Sequence, residues 1–222
     1  ETTRRRHRGR FGWQGTGNRH RTGAAEKDNQ IMEEKVKPEI MHLMILSKCD
    51  HSCELCCNKL YDTEKIPVAS VEELKTVHTL CITGGEPFES FVDLNVFAAN
   101  IRKQYQNIKH IYVYTSGGKS FVSNIPTYGF GCFDGVNFAP KNIYDWGFLD
   151  AFARFANKEI LNTLKNRPNN RLYVFKEQVE VFENKYKHLA DKLNLNVIYR
   201  TWNKEFKTPS NEIFRRSPIF LG

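Results

Sequence analysis

The sequence predicts an α/β protein in which helices cover a parallel β-sheet. Two observations lead to this prediction. Short runs rich in β-branched or aromatic residues recur along the chain, and amphipathic stretches separate several of them. Strands that alternate with helices imply parallel pairing through right-handed crossovers, in either an open doubly wound sheet or a partial barrel. The predicted strands are residues 41–46, 78–83, 110–115, 135–139, 171–175 and 196–199.

Four stretches have the apolar spacing of helices that pack one face against a sheet. They are residues 71–77, 91–105, 145–164 and 179–193. The first follows Ser70, and Glu73 stands three residues after that serine, which is the capping-box pattern of a helix start. In both candidate architectures functional groups gather at the carboxyl ends of the strands. We therefore look for site residues directly after each predicted strand.

The composition is that of a folded domain with one core. The chain has 222 residues, of which 40% are hydrophobic and 26% are charged, as in ordinary globular proteins. No apolar run reaches the roughly 18 residues that span a bilayer, so we do not expect a membrane protein. Six cysteines without a signal-peptide pattern predict reduced thiols and a cytoplasmic location.

Most of the net charge of +8 lies at the start of the chain. Residues 1–31 contain eight Lys or Arg and three Asp or Glu, a balance of +5, which leaves +3 for the rest. Since this segment has few apolar side chains and no periodicity, we predict a disordered basic leader. We interpret it as a solvated or non-native tail, not as a nucleic-acid-binding arm, and we assign residues 32–222 to one domain.

Three cysteines in one loop are the strongest chemical signal. Cys49, Cys53 and Cys56 follow the first predicted strand with the spacing C-x3-C-x2-C. A structural zinc site uses four ligands, in general as two separated pairs, and no second pair follows here. Iron–sulfur cubanes also normally bind four cysteines, so three would leave one iron open to a substrate or cofactor.

Together with other segments, this loop resembles the radical S-adenosylmethionine (radical SAM) superfamily. Residues 49–56 match the cysteine motif of that family, and residues 84–87, after the second predicted strand, match its Gly-Gly-Glu-Pro motif. Residues 70–74 resemble the helix between the two motifs, and residues 114–118 resemble the segment after the third strand. Their order makes the combination far more specific than either motif alone. The resemblance implies a partial (β/α)6 radical SAM barrel with outer helices.

The resemblance also implies site residues. Cys49, Cys53 and Cys56 would bind a [4Fe-4S] cluster whose fourth iron binds SAM. Glu86 would help to receive the ammonium group of SAM, and Leu55 would lie against the adenine without the stacking that an aromatic residue provides. The full set of residues that would contact SAM is Leu55, Gly84, Gly85, Glu86, Pro87, Ser116 and Asn137, the last two as candidates for the ribose hydroxyls.

The implied activity is reductive cleavage of SAM to a 5′-deoxyadenosyl radical, which would abstract hydrogen from an unidentified substrate, either a small molecule or a protein. A low-potential donor such as flavodoxin or ferredoxin would supply the electron. No second Cys-rich module follows the predicted domain. Two classes of family member therefore stay open: a glycyl-radical-activase-like protein, and a small-molecule synthase of the 7-carboxy-7-deazaguanine synthase type.

Several residues have more than one interpretation. Lys176 and Arg200 follow the last two predicted strands and could hold a substrate carboxylate or phosphate, or could be solvated. Cys57 and Cys132 are interpreted as packing or loop residues, and Cys81 as a small core residue. A hypothesis of another class is a zinc-stabilised nucleic-acid-binding protein. In it the cysteines would bind zinc in place of the cluster, and the basic leader would bind the phosphates of the nucleic acid.

Overall fold

A computed structural model describes residues 37–49, 51–60, 62–90, 93–203 and 208–221, with the backbone alone at 126–128 and 219–221. The predicted basic leader, residues 1–31, lies outside this part of the chain. The model is an α/β structure with one seven-stranded sheet. None of the described helices is long and apolar enough to cross a membrane. The strands are β1 (Ile40–Leu46), β2 (Thr79–Thr83), β3 (His110–Thr115), β4 (Gly135–Phe138), β5 (Arg171–Phe175), β6 (Asn196–Arg200) and β7 (Glu212–Leu221).

All strand pairs are parallel, and the first six strands follow each other in chain order across the sheet. The seventh strand returns to pair with β1 on its other side, so that β6 and β7 are the two edges of the sheet. A sequential order without reversal is the topology of an incomplete β/α barrel and not of a doubly wound sheet. The predicted parallel α/β architecture is therefore confirmed, with seven strands instead of six.

The helical elements cover one face of the sheet. They are α1 (Val71–Thr76), α2 (Leu94–Gln104), α3 (Lys119–Tyr128), α4 (Ile143–Phe155), α5 (Lys158–Lys165), α6 (Val179–Val181) and α7 (His188–Leu193), with a π-helical turn at Phe182–Tyr186 between the last two. Short 3-10 turns lie at Cys57–Lys59, Thr63–Lys65, Pro87–Glu89 and Lys176–Gln178. The predicted capping box at α1 is present, because the Ser70 hydroxyl accepts from the Glu73 amide and the Glu73 carboxylate accepts from the Ser70 amide.

Alternate strand residues divide between the two faces, as the pleat requires. Leu43, Ile82, Val113 and other aliphatic strand residues join the core shared with the helices. The opposite face carries rings and polar groups: His42 stacks on Phe214, and their ring centroids are 4.3 Å apart. The helices therefore bury the aliphatic face, and the second face stays chemically mixed.

Two expectations about secondary structure were wrong, and two further elements were not predicted. The predicted helix 145–164 is two helices, because the Asn157 side chain caps a new helix start by accepting from the Glu159 amide. The π-helical turn interrupts the predicted helix 179–193. Helix α3 and strand β7 were not predicted. Pro126 in α3 and Pro218 in β7 are residues that ordinarily argue against a helix interior or a central strand, and β7 tolerates proline as an edge strand.

Candidate functional site

The carboxyl ends of β1 to β4 surround one pocket. Its lining combines the cysteine loop with the segments that follow β2, β3 and β4. The enclosed volume is about 120 Å³, so a nucleoside-sized ligand would extend beyond it. The lining residues are Cys49, His51, Cys53, Cys56, Cys57, Asn58, Thr83, Gly84, Gly85, Glu86, Tyr114, Thr115, Ser116, Ala139 and Lys141.

All three motif cysteines line this pocket. Cys53 is buried, Cys56 is half-buried and Cys49 is exposed. Burial raises the pKa of the Cys53 thiol, and the nearby Asp145 carboxylate raises it further. Among the described residues no three His, Cys, Asp or Glu side chains converge on a position for one metal ion. Each cysteine of a cubane binds a different iron.

Two glycines bring the end of β2 against the end of β1. A Cβ on Gly85 would lie 1.8 Å from the Lys48 carbonyl oxygen, and a Cβ on Gly84 would lie 2.4 Å from the Leu46 carbonyl oxygen. The close approach allows the Gly85 amide to donate to Leu46 at 2.8 Å and the Glu86 amide to donate to Lys48 at 3.1 Å. These bonds hold the residues after β2 beside the cysteine loop, so the glycines are needed for the pocket itself.

Glu86 is a buried carboxylate, with 2% of its surface exposed. Its Oε2 accepts from the Thr115 hydroxyl at 3.0 Å, the Ser116 amide at 3.0 Å and the Ser116 hydroxyl at 3.2 Å, while Oε1 accepts from the Phe88 amide at 3.3 Å. Burial raises the pKa of Glu86, and these donors oppose the shift. No described Lys or Arg forms an ion pair with it. Oε1 therefore retains acceptor capacity for a cationic ligand group.

The other residues that the sequence predicts at the site lie at different distances from the pocket. Ser116 lines the pocket, whereas Leu55 and Pro87 do not, although both belong to segments that border it. Asn137 lies on β4, fully buried, and neither polar atom of its amide has a hydrogen-bond partner among the described residues. The buried amide stays a candidate for a ligand contact, because an unpaired polar group in the interior is costly.

The two proposed substrate cations are not in the pocket. Lys176 is exposed at the 3-10 turn after β5. Arg200, at the end of β6, is also exposed, and its guanidinium carbon lies 4.1 Å from the centroid of the Tyr173 ring. The cation that does line the pocket is Lys141, which follows β4.

Four residues that contribute to the site had no role in the sequence interpretation. Thr115 binds Glu86, and the Asn58 side-chain amide donates to the Gly84 carbonyl at 2.8 Å, which ties the residues after the cysteines to the glycine segment. Asn142 and Asp145 lie next to the cysteine loop from the start of α4. The position of Asn142 after a strand and before a helix is a recognisable N-cap signal, but its contact with a cysteine is not visible in the sequence.

Comparisons with known proteins find distant fold similarity. No protein-family model matches the chain, and no curated protein matches it. Similar solved structures include Streptococcus suis SuiB bound to precursor peptide SuiA (TM-score 0.47, 12% identity, covering 76% of this chain and 40% of that one). A second is SuiB bound to S-adenosylmethionine, with a TM-score of 0.46 and 12% identity, covering 84% of this chain and 48% of that one. A third structure of SuiB has a TM-score of 0.46 and 14% identity, and covers 81% of this chain and 43% of that one. The chain spans less than half the length of these structures, and at these scores we draw no assignment from the likeness.

Proposed function

We propose that this protein is a radical SAM enzyme. The observation that carries the proposal is the pocket at the carboxyl ends of β1 to β4, where three cysteines of one loop lie beside a buried carboxylate that forms no ion pair with a described Lys or Arg. Parallel β/α folds place their active sites at this edge of the sheet. The motifs that resemble the superfamily therefore meet in space as well as in order along the chain.

The residues present fit the cofactors. Cys49, Cys53 and Cys56 supply three sulfur ligands, the number that leaves one iron of a [4Fe-4S] cluster available to SAM. When bound, such a cluster would supply the low-potential electron for reductive cleavage of the SAM sulfonium bond. The remaining steps are tasks of the protein, which must hold SAM and a substrate C–H bond in place and exclude other hydrogen donors.

Glu86 would bind the ammonium group of SAM. Hydrogen bonds from Thr115 and Ser116 hold the carboxylate in position before the ligand arrives. A charge-assisted bond in a buried site is stronger than one between neutral groups. The three donors on Oε2 leave Oε1, with one bond from the Phe88 amide, as the atom that would meet the ammonium group.

The experiment is an anaerobic reconstitution with iron and sulfide, followed by dithionite and SAM. We expect about four irons and four sulfides per chain and formation of 5′-deoxyadenosine. Cys53→Ala should lose both the cluster and the product, whereas the matched control Cys132→Ala should keep both, since Cys132 lies outside the pocket. One bound zinc without sulfide would overturn the proposal and favour the zinc-stabilised alternative.

For the substrate, we propose the activase class ahead of the small-molecule synthase class. The support is the incomplete barrel, because among the described strands β6 and β7 do not pair with each other. Residues 67–69 pair with β7 at Arg216, so a protein partner would cover the side of β6. A glycyl radical formed on a partner enzyme, detected by electron paramagnetic resonance, would support this choice. Turnover of a pterin-derived small molecule to a deazaguanine product would overturn it.

A further inference from the structure

The start of α4 contacts the cysteine loop at two points, although it belongs to neither sequence motif. Asn142 is the N-cap of this helix, and its Nδ2 lies 3.7 Å from Cys53 Sγ. Asp145, three residues later, is fully buried, and its Oδ1 lies 2.9 Å from Nε2 of His51, within the loop. Two side chains one turn apart thus reach the same loop.

The orientation of the Asn142 amide follows from its capping role. Its Oδ1 accepts from the Tyr144 and Asp145 amides, each at 2.9 Å. The oxygen is therefore committed to the helix start, and the NH2 group is the part that faces the sulfur of Cys53. Asn142 is therefore a neutral hydrogen-bond donor to the Cys53 sulfur.

The Asp145 carboxylate accepts a backbone hydrogen bond on one side and lies at ion-pair distance from an imidazole on the other. Its Oδ2 accepts from the Lys141 amide at 3.0 Å, while Oδ1 faces His51. Nδ1 of the same imidazole lies 3.9 Å from Cys49 Sγ. A carboxylate at one ring nitrogen fixes the orientation of the ring, as partners of metal-bound histidines do. His51 therefore links Asp145 to the first cysteine of the loop.

A glycine makes room for this link. A Cβ on Gly118 would lie 2.2 Å from His51 Nε2 and 3.0 Å from Asp145 Oδ1. The backbone of Gly118 itself is unstrained, with φ of −78°, so the reason for glycine here is space for the imidazole. The segment after β3 thus supports the contact between the loop and α4.

We propose that Asn142 and Asp145 are positioning residues of the cysteine loop, Asn142 by donating to Cys53 and Asp145 by holding His51, so that they set the reduction potential of a cluster bound there. This inference rests on the proposed function. A donor to a cysteine sulfur stabilises the reduced, more negative state of an iron–sulfur cluster, because hydrogen bonds to the sulfurs and local charge tune its potential.

The first test replaces the donor and keeps the helix cap. Asn142→Asp retains a capping oxygen, loses the NH2 group and adds negative charge beside Cys53. We expect a lower midpoint potential, with at least a tenfold loss of reduced cluster at a fixed potential, or about 59 mV for a one-electron couple. Asn157→Asp is the matched control, because Asn157 caps α5 in the same way and binds no cysteine. Equal potentials in Asn142→Asp and wild type would overturn the inference for Asn142.

The second test needs no cluster. In metal-free protein, Gly118→Ala should displace His51 and speed hydrogen exchange of backbone amides in residues 49–56 by about tenfold, with exchange in β5 unchanged. Asp145→Asn is the second variant, in case the alanine perturbs folding. Exchange at the wild-type rate in both variants would overturn the role of Asp145. If wild type bound no cluster but the variants loosened the loop, the positioning role would stand and the proposed function would fail.

Discussion

Acidic side chains at the two ends of the sheet are held in different ways. At the carboxyl end, Glu86 is 2% exposed and takes its hydrogen bonds from hydroxyls and backbone amides. At the amino end, Asp134 precedes β4, pairs with the Arg102 guanidinium and accepts from the Ile111 amide. Glu212, at the start of β7, lies 2.8 Å from a nitrogen of His42.

The different partners distinguish acidic side chains with a structural role from one that is a candidate for binding a ligand. A carboxylate paired with arginine has its charge balanced by the fold, and removal of either partner costs stability. Glu86 has neutral hydrogen-bond donors and no ion pair with a described Lys or Arg, and the nearby His51 imidazole favours its ionised form, so it can accept a cation from outside. This comparison favours Glu86 as a ligand contact and assigns Asp134 to the framework.

The largest effect is expected from a substitution that blocks the close approach of the β1 and β2 ends at the site. Gly85→Ala would place a methyl group on the Lys48 carbonyl, so the strand ends must separate, at a cost of about 3 kcal/mol in the free energy of unfolding. Iron and SAM binding should be lost with it. Gly147→Ala is the control: that glycine lies inside α4 with nothing near its Cβ position, and alanine should stabilise the helix by up to about 1 kcal/mol. Chemical denaturation measures both, and a neutral Gly85→Ala would contradict the close approach.

A smaller effect should distinguish the two kinds of acid. Glu86→Gln removes the negative charge and places an amide where Oε2 accepts from the Thr115 hydroxyl and from the amide and hydroxyl of Ser116. We therefore expect SAM to bind the reconstituted protein about 10- to 100-fold more weakly, a loss of about 1.4 to 2.8 kcal/mol in binding free energy. Asp134→Asn should leave SAM affinity unchanged and lower the free energy of unfolding by about 2 kcal/mol. Equilibrium binding and denaturation give the two numbers. Equal SAM affinity for Glu86→Gln and wild type would break the comparison.

The smallest effect concerns an ion pair between α1 and the edge strand β7, away from the two acids compared above. The Arg215 side chain donates to Glu73 and lowers the pKa of that carboxyl, which is also part of the α1 capping box. A lowered folded-state pKa means that the stabilisation is present above the unfolded pKa near 4.5 and is lost as pH falls through the folded value.

We therefore expect Glu73→Gln, which keeps the capping box, to be less stable than wild type at pH 7 by at most about 1 kcal/mol. The gap should close as pH falls below 4.5. Thermal unfolding of both proteins between pH 7 and pH 3 measures it. A gap that widened toward low pH would contradict the sign of the pKa shift.

The amino-acid sequence by itself determined the fold class and the place of the candidate site after the first strands. Runs such as residues 110–115 and 171–175 predicted β3 and β5 with the same bounds, because buried strands need little beyond a short apolar run between breakers. The cysteine spacing and the GGEP segment stand after β1 and β2, where the strand pattern placed them. Signals of this kind depend only on residues close together in the sequence, so the sequence alone reveals them.

Only the tertiary structure decided which side chains meet. The pairing of β7 with β1 depends on a contact between distant parts of the chain, and a proline in a strand with two arginines hid it from the pattern. The contacts of Thr115 with Glu86 and of Asn142 with Cys53 join segments 29 and 89 residues apart. Contacts of that range follow from packing of the whole sheet, so no local propensity encodes them.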